Sequence, residues 1–142
     1  MSEPAVLVVD TSVAVKWYIP EPGSAAAVRL LAGEDLLLAP DLLGPELGNV
    51  LWKKVRRGEL TPREAGECAI AFVELCPVSM LASAPYLPAA LEIALRYGRT
   101  VYDALYLALA LERGARYVTA DDRLVHALAG TELATVVWQL GS

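Results

Sequence analysis

Four acidic residues interrupt segments that are otherwise apolar. Asp10 ends the run Val6-Leu7-Val8-Val9, and Glu46 lies within Pro45-Glu46-Leu47-Gly48-Asn49-Val50-Leu51. Asp103 opens Asp103-Ala104-Leu105-Tyr106-Leu107-Ala108, and Asp121 follows Tyr117-Val118-Thr119-Ala120. An unpaired charge in such surroundings is costly. Taken singly, most have a plain structural reading. Asp121 can cap a helix, Asp103 can close a capping box begun by Thr100, and Glu46 can pair with a nearby Lys or Arg. Asp10 resists this reading, because a strand ending in Asp-x-Ser needs no cap. Four carboxylates converging on one crevice would repel one another and raise each other's pKa values. A hard divalent cation removes that penalty, and oxygen donors suit Mg2+ or Mn2+. One or two such ions point to phosphoryl chemistry, in which the ion activates a water and steadies the leaving oxygen.

The rest of the chain offers no competing machinery. The one histidine, His126, falls inside a helical stretch after Asp121-Asp122 and reads as a surface or interface residue. There is no Ser-His-Asp set, no glycine-rich phosphate loop and no Cys-His pair. A metal-dependent phosphatase with an aspartate after its first strand would place a second aspartate two residues later as acid/base. Ser12 stands there instead.

These acids need elements to position them. Short apolar runs at 6–9, 36–39, 78–81, 116–119 and 135–138 read as buried strands. Helices are expected at about 25–32, capped by Ser24, and from Asp41 or Leu42 to Arg57-Gly58. Thr61-Pro62-Arg63-Glu64 is a capping box opening a helix to about Leu75. Further helices are expected at 88–97, from Thr100 to Arg113-Gly114, and from Asp121 or Asp122 to about Ala129. Strands alternating with helices predict an α/β fold, a parallel sheet covered on both faces, with ligands gathering at the strands' carboxyl ends. Asp10 and Asp121 fall at two such ends.

The 142 residues suit a single domain, 1–142. Cys68 and Cys76 match neither a disulfide framework nor a zinc spacing, which predicts two reduced, half-buried thiols in an intracellular protein. No segment reaches the ~18 uninterrupted apolar residues of a membrane span, so a soluble cytoplasmic protein is expected. Hydrophobic residues make up 56% of the chain, more than a domain this small readily hides. Some of that surface is expected to meet a partner or a second copy. The net charge of −5 argues against broad nonspecific nucleic-acid binding. Lys16, Lys53, Lys54, Arg56 and Arg57 lie close in sequence to Asp10 and Glu46 and could steer a phosphate backbone locally. Lys53 to Arg57 could equally be only a solvated helix end favoured by the macrodipole.

Val8-Val9-Asp10-Thr11-Ser12, Pro45-Glu46-Leu47-Gly48-Asn49-Val50-Leu51, Tyr102-Asp103-Ala104-Leu105-Tyr106-Leu107-Ala108 and Val118-Thr119-Ala120-Asp121-Asp122-Arg123-Leu124 resemble, in order and spacing, the four motifs of PIN-domain ribonucleases. The chain looks most like the VapC toxins of VapBC toxin–antitoxin modules. The resemblance implies a three-layer, Rossmann-like PIN domain with a five-stranded parallel sheet flanked by helices. It also implies Mg2+- or Mn2+-dependent cleavage of single-stranded RNA, a homodimer, and a cognate antitoxin that blocks the crevice. By carry-over, Asp10, Glu46, Asp103 and Asp121 form the acidic set, with Asp10 and Asp103 the most direct metal ligands. Ser12, Asn49 and Thr119 match supporting polar positions, while Asp122 is expected to face solvent. The alternative is a non-catalytic PIN-like module that binds RNA or a protein.

Overall fold

The computed structural model describes residues 4–142. Five strands, β1 (Val6–Val9), β2 (Leu36–Pro40), β3 (Ser79–Leu81), β4 (Arg116–Thr119) and β5 (Val137–Gln139), pair in parallel in the order β3-β2-β1-β4-β5. They are flanked by seven helices: α1 (Thr11–Tyr18), α2 (Ser24–Ala32), α3 (Leu43–Arg56), α4 (Pro62–Glu74), α5 (Leu87–Tyr97), α6 (Val101–Arg113) and α7 (Asp122–Leu128). The expected α/β architecture with a five-stranded parallel sheet is therefore present. Val8, Val9, Leu37, Leu38, Ala39, Tyr117 and Val118 are all buried, as a sheet covered on both faces requires. Helix α6 lies against β1, β2 and β4 on one side and α5 on the other. That position explains why every residue from Ala104 to Ala110 is buried.

The sequence reading misses α1. Thr11, Val13 and Val15 are β-branched and alternate, which disfavours a helix locally. Burial of Val13, Ala14 and Val15 overrides that preference, and Asp10 caps the helix by accepting from Ser12 N at 3.0 Å. The expectation that Asp10 needs no capping role is thus corrected: it caps as well. Ser24 is not the cap of α2. Gly23 holds that position at φ 90°, and the Ser24 hydroxyl accepts from Glu21 N instead. The box at Thr61 and Glu64 forms with both of its hydrogen bonds. The last strand starts later than expected, because Glu132–Thr135 forms a 3₁₀ turn.

Strand order reverses at β1, since β2 lies on one side and β4 on the other. The crevice at such a switch point opens at the carboxyl ends of β1 and β4. Gly114 ends α6 at φ 58° and turns the chain into β4. A Cβ there would meet nothing within 4 Å, so the cost of adding one is purely conformational. Gly114→Ala is expected to lose about 1 kcal/mol of stability, read as a lower urea midpoint with an unchanged slope.

Candidate active site

Among the described residues, the buried polar side chains are Asp10, Thr11 and Thr119, and all three sit at that switch point. Asp10 is held from both sides. Its Oδ1 accepts from Ser12 N and from Ser12 Oγ at 2.5 Å. Its Oδ2 accepts from Tyr117 Oη and Thr119 Oγ1, both at 2.6 Å. A carboxylate offers about four acceptor positions, so Asp10 is saturated by the protein. Burial pushes its pKa up, and these hydrogen bonds offset part of that rise. Ser12 Oγ also accepts from Ala120 N at 2.8 Å, and Thr119 Oγ1 from Asp121 N at 3.1 Å. Ser12 and Thr119 therefore lock α1, β4 and the start of α7 around one acid.

Glu46 projects from the first turn of α3, beside the buried stripe of Leu43, Leu47 and Leu51. Its Oε1 accepts from Tyr106 Oη at 2.6 Å and from Thr11 Oγ1 at 3.2 Å. Burial again raises the pKa; these hydrogen bonds lower it, and the charges of Asp10 and Asp103 raise it. The rings of Tyr106 and Tyr117 stack at 5.6 Å and 19°. One phenol of the stack serves Asp10 and the other Glu46. Burial, reinforced by these carboxylates, pushes both phenols far up, so both remain protonated donors. Tyr106, Tyr117 and Thr11 were not singled out as site residues from sequence. The available signal was a hydroxyl on an otherwise apolar helix or strand.

Asp103 stands half-buried at the start of α6. Thr100 caps its backbone N–H, but the carboxylate does not return the bond, so the box is half-formed. Its Oδ2 pairs with Arg99 Nη2 at 3.2 Å. Asp121 accepts from Arg123 N at 3.0 Å and Leu124 N at 3.4 Å through Oδ1, the N-cap reading made real. Glu46 Oε2, Asp103 Oδ1 and Asp121 Oδ2 take no hydrogen bond among the described residues. Among those residues, no three Asp, Glu, His or Cys side chains stand close enough to share one ion. Asn49 is exposed and forms no side-chain hydrogen bond among the described residues. Asp122 is exposed and accepts from Gln139 Nε2. His126 is exposed, its Nδ1 on Asp122 O.

A cleft of about 390 Å3 opens beside this set. Its walls include Thr11, Ser12, Lys16, Lys53, Lys54 and Arg57. Arg56 lies outside it, over the exposed ring of Trp52 at 5.0 Å. The basic residues near Glu46 thus divide between a cleft wall and a solvated helix surface. Cys68 and Cys76 are free and half-buried. No helix among the described residues is long and apolar enough to cross a membrane.

Comparison with known proteins agrees with this arrangement. Residues 7–129 match the PIN domain family. The chain is 39% identical over 119 residues to "Ribonuclease VapC3" of Pyrobaculum aerophilum, covering 83% of this chain and 91% of that protein. Its fold is similar to a solved protein of the same organism, with a TM-score of 0.71 at 24% identity over 96% of this chain and 84% of that one. A toxin–antitoxin complex from Klebsiella pneumoniae also shares the fold, with a TM-score of 0.63 at 14% identity over 93% and 95% of the two chains. With its five-stranded sheet and four motifs in order, the chain belongs to the PIN-domain family, among the VapC ribonucleases.

Proposed function

We propose that the chain is a divalent-metal-dependent endoribonuclease that cuts single-stranded RNA, acting in the cytoplasm as the toxin of a toxin–antitoxin pair. In this reading residues 1–142 form one domain. The observation that carries the reading is Asp10, 8% exposed, held by four donors at the carboxyl ends of the two central strands. Burying a carboxylate this deeply is costly, and acids perturbed in this way cluster at functional sites.

The acidic set fits a hard divalent ion by its chemistry. It offers oxygen donors only; burial raises the pKa of Asp10 and Glu46, and the charges of Asp10 and Asp103 raise that of Glu46 further, a penalty that a cation relieves. As they stand no three of these acids are close enough to share one ion, so Asp10, Glu46 and Asp103 would have to draw together to hold Mg2+ or Mn2+, with Asp121 beside them. Three of the four donors to Asp10 are hydroxyls whose protons rotate, so an oxygen can be released to a ligand. When bound, the ion supplies charge neutralisation and a water of lowered pKa. The chain itself does the positioning. Ser12, Tyr117 and Thr119 orient Asp10; Thr11 and Tyr106 orient Glu46; Arg99 restrains Asp103. Lys53 and Arg57 present positive charge to an RNA backbone along the cleft.

The partners follow from the same reading. Leu87, Leu91 and Leu95 recur every fourth residue along α5 and are 52%, 48% and 77% exposed. On α4, Ile70 and Val73 are 58% and 79% exposed. Two such surfaces suit a homodimer and a cognate antitoxin. For the reaction, purified protein is expected to cut single-stranded RNA, to stop with a chelator and to resume with Mn2+ or Mg2+. RNA binding without cleavage under every metal would instead favour the non-catalytic module.

A further inference from the structure

The cleft beside the acids contains its own anion. Glu21 lies in the turn between α1 and α2, and its backbone is clamped by Ser24. Glu21 N donates to Ser24 Oγ at 2.9 Å, and Ser24 N donates to Glu21 O at 3.0 Å. The carboxylate points between two helices. Oε1 takes Lys16 Nζ of α1 at 2.9 Å, and Oε2 takes Lys54 Nζ of α3 at 3.3 Å. Lys16 Nζ also donates to Pro22 O at 2.8 Å, and the exposed Glu59 lies 3.6 Å from Lys54.

Two features set this apart from a surface ion pair. The lysine side chains are only 12% and 19% exposed, which is rare for lysine. Four cations, Lys16, Lys53, Lys54 and Arg57, line the cleft against the single carboxylate of Glu21. Lys53 and Arg57 make no ion pair among the described residues. In a chain of net charge −5, this is a local reversal of sign. Partial burial pushes the Glu21 pKa up, but the hydrogen bonds and charges of Lys16 and Lys54 outweigh it and hold the group below the usual range. Glu21 is therefore an anion at neutral pH.

We propose that Glu21 occupies, in the free protein, the seat of an RNA backbone phosphate, which displaces it from Lys16 and Lys54 when RNA enters the cleft. The proposal rests on the ribonuclease reading and names where its substrate is gripped. A phosphodiester offers the same hard, charged oxygens as a carboxylate, and lysine is a common point-charge partner for it. The cleft has the volume of a nucleotide-sized site. Its wall runs through Thr11 and Ala120, the immediate chain neighbours of Asp10 and Asp121, and through Ser12, which donates to Asp10. A strand seated there leads onto the acids. Glu21 keeps two half-buried ammonium groups paired, and it competes with any anion that arrives.

The test is binding of a short fluorescein-labelled single-stranded RNA in chelator, with potassium chloride varied. Glu21→Gln is expected to bind about two- to five-fold more tightly, with a log–log salt slope steeper by about 0.7. Lys54→Gln is expected to bind more weakly, with a slope shallower by a similar amount. Melting curves establish that both variants fold; if Glu21→Gln does not, Lys54→Gln alone decides. A folded Glu21→Gln that binds no more tightly than the parent overturns the proposal. So does a Lys54→Gln with unchanged affinity and slope, or polyglutamate competing as well as unlabelled RNA. Parent protein that binds RNA with these slopes but never cuts it refutes the nuclease reading and leaves the subsite standing.

Discussion

Asp10→Asn is expected to lower RNA cleavage by at least about a hundredfold, since losing a group that merely supports a metal ligand already costs about 10–100-fold. The same variant is expected to stay folded. Asn is isosteric, and the hydroxyls of Tyr117 and Thr119 can accept from its amide as well as donate. Burial raises the folded-state pKa of Asp10 above its unfolded value. A carboxyl shifted this way favours the fold below its unfolded pKa, and that contribution is lost as pH rises through the folded pKa. At neutral pH the buried carboxyl of Asp10 is thus a burden that Asn does not carry. In chelator at neutral pH the variant should melt at or above the parent, with a gain on the order of 1 kcal/mol. The gap should narrow as pH falls and Asp10 of the parent becomes neutral. Retained cleavage would remove Asp10 from the site, and a variant melting well below the parent at neutral pH would make its role structural.

Tyr117→Phe is the second large effect. It keeps the ring stacked on Tyr106 and removes only the hydroxyl that donates to Asp10 Oδ2 at 2.6 Å. Thr119 still holds that oxygen, so the fold should survive, but Asp10 gains rotational freedom. Affinity for Mn2+, measured by titration calorimetry on RNA-free protein, is expected to fall about 10–100-fold. Cleavage at saturating Mn2+ should recover a large part of the parent rate, which a collapsed site could not do. An unchanged affinity would show that Asp10 needs no phenol. No Mn2+ binding by the parent would count against the metal reading itself.

The sheet and most of the helices were legible because their signals are local. The apolar runs at Val6–Val9 and Arg116–Thr119, the box at Thr61 and the glycines at Gly98 and Gly114 each encode their own element. Helix α1 was not legible, since Thr11, Val13 and Val15 prefer extended backbone and only tertiary burial makes them helical. The acids could be picked out singly as charges in apolar segments. Their settings could not. That Tyr117 and Thr119 of β4 complete the shell of donors around Asp10, and that Tyr106 and Tyr117 share a stack, are facts of tertiary packing without a sequence period. The two roles offered for the basic residues were also divided by packing alone: Lys16 and Lys54 turn into the cleft, while Arg56 turns out over Trp52.

The central place of β1 carries a consequence for how the molecule comes into being. Asp10 bonds to Tyr117 and Thr119 across 107 and 109 residues of chain. Synthesis delivers the amino-terminal segments first. Strands β1, β2 and β3 and the acids Asp10, Glu46 and Asp103 are therefore all made before the strand that completes the pocket. Pairing over such a separation is also slow to nucleate. The pocket around Asp10 is therefore completed late, and on the proposed reading the chain gains the means to cut RNA only after β4 has been made.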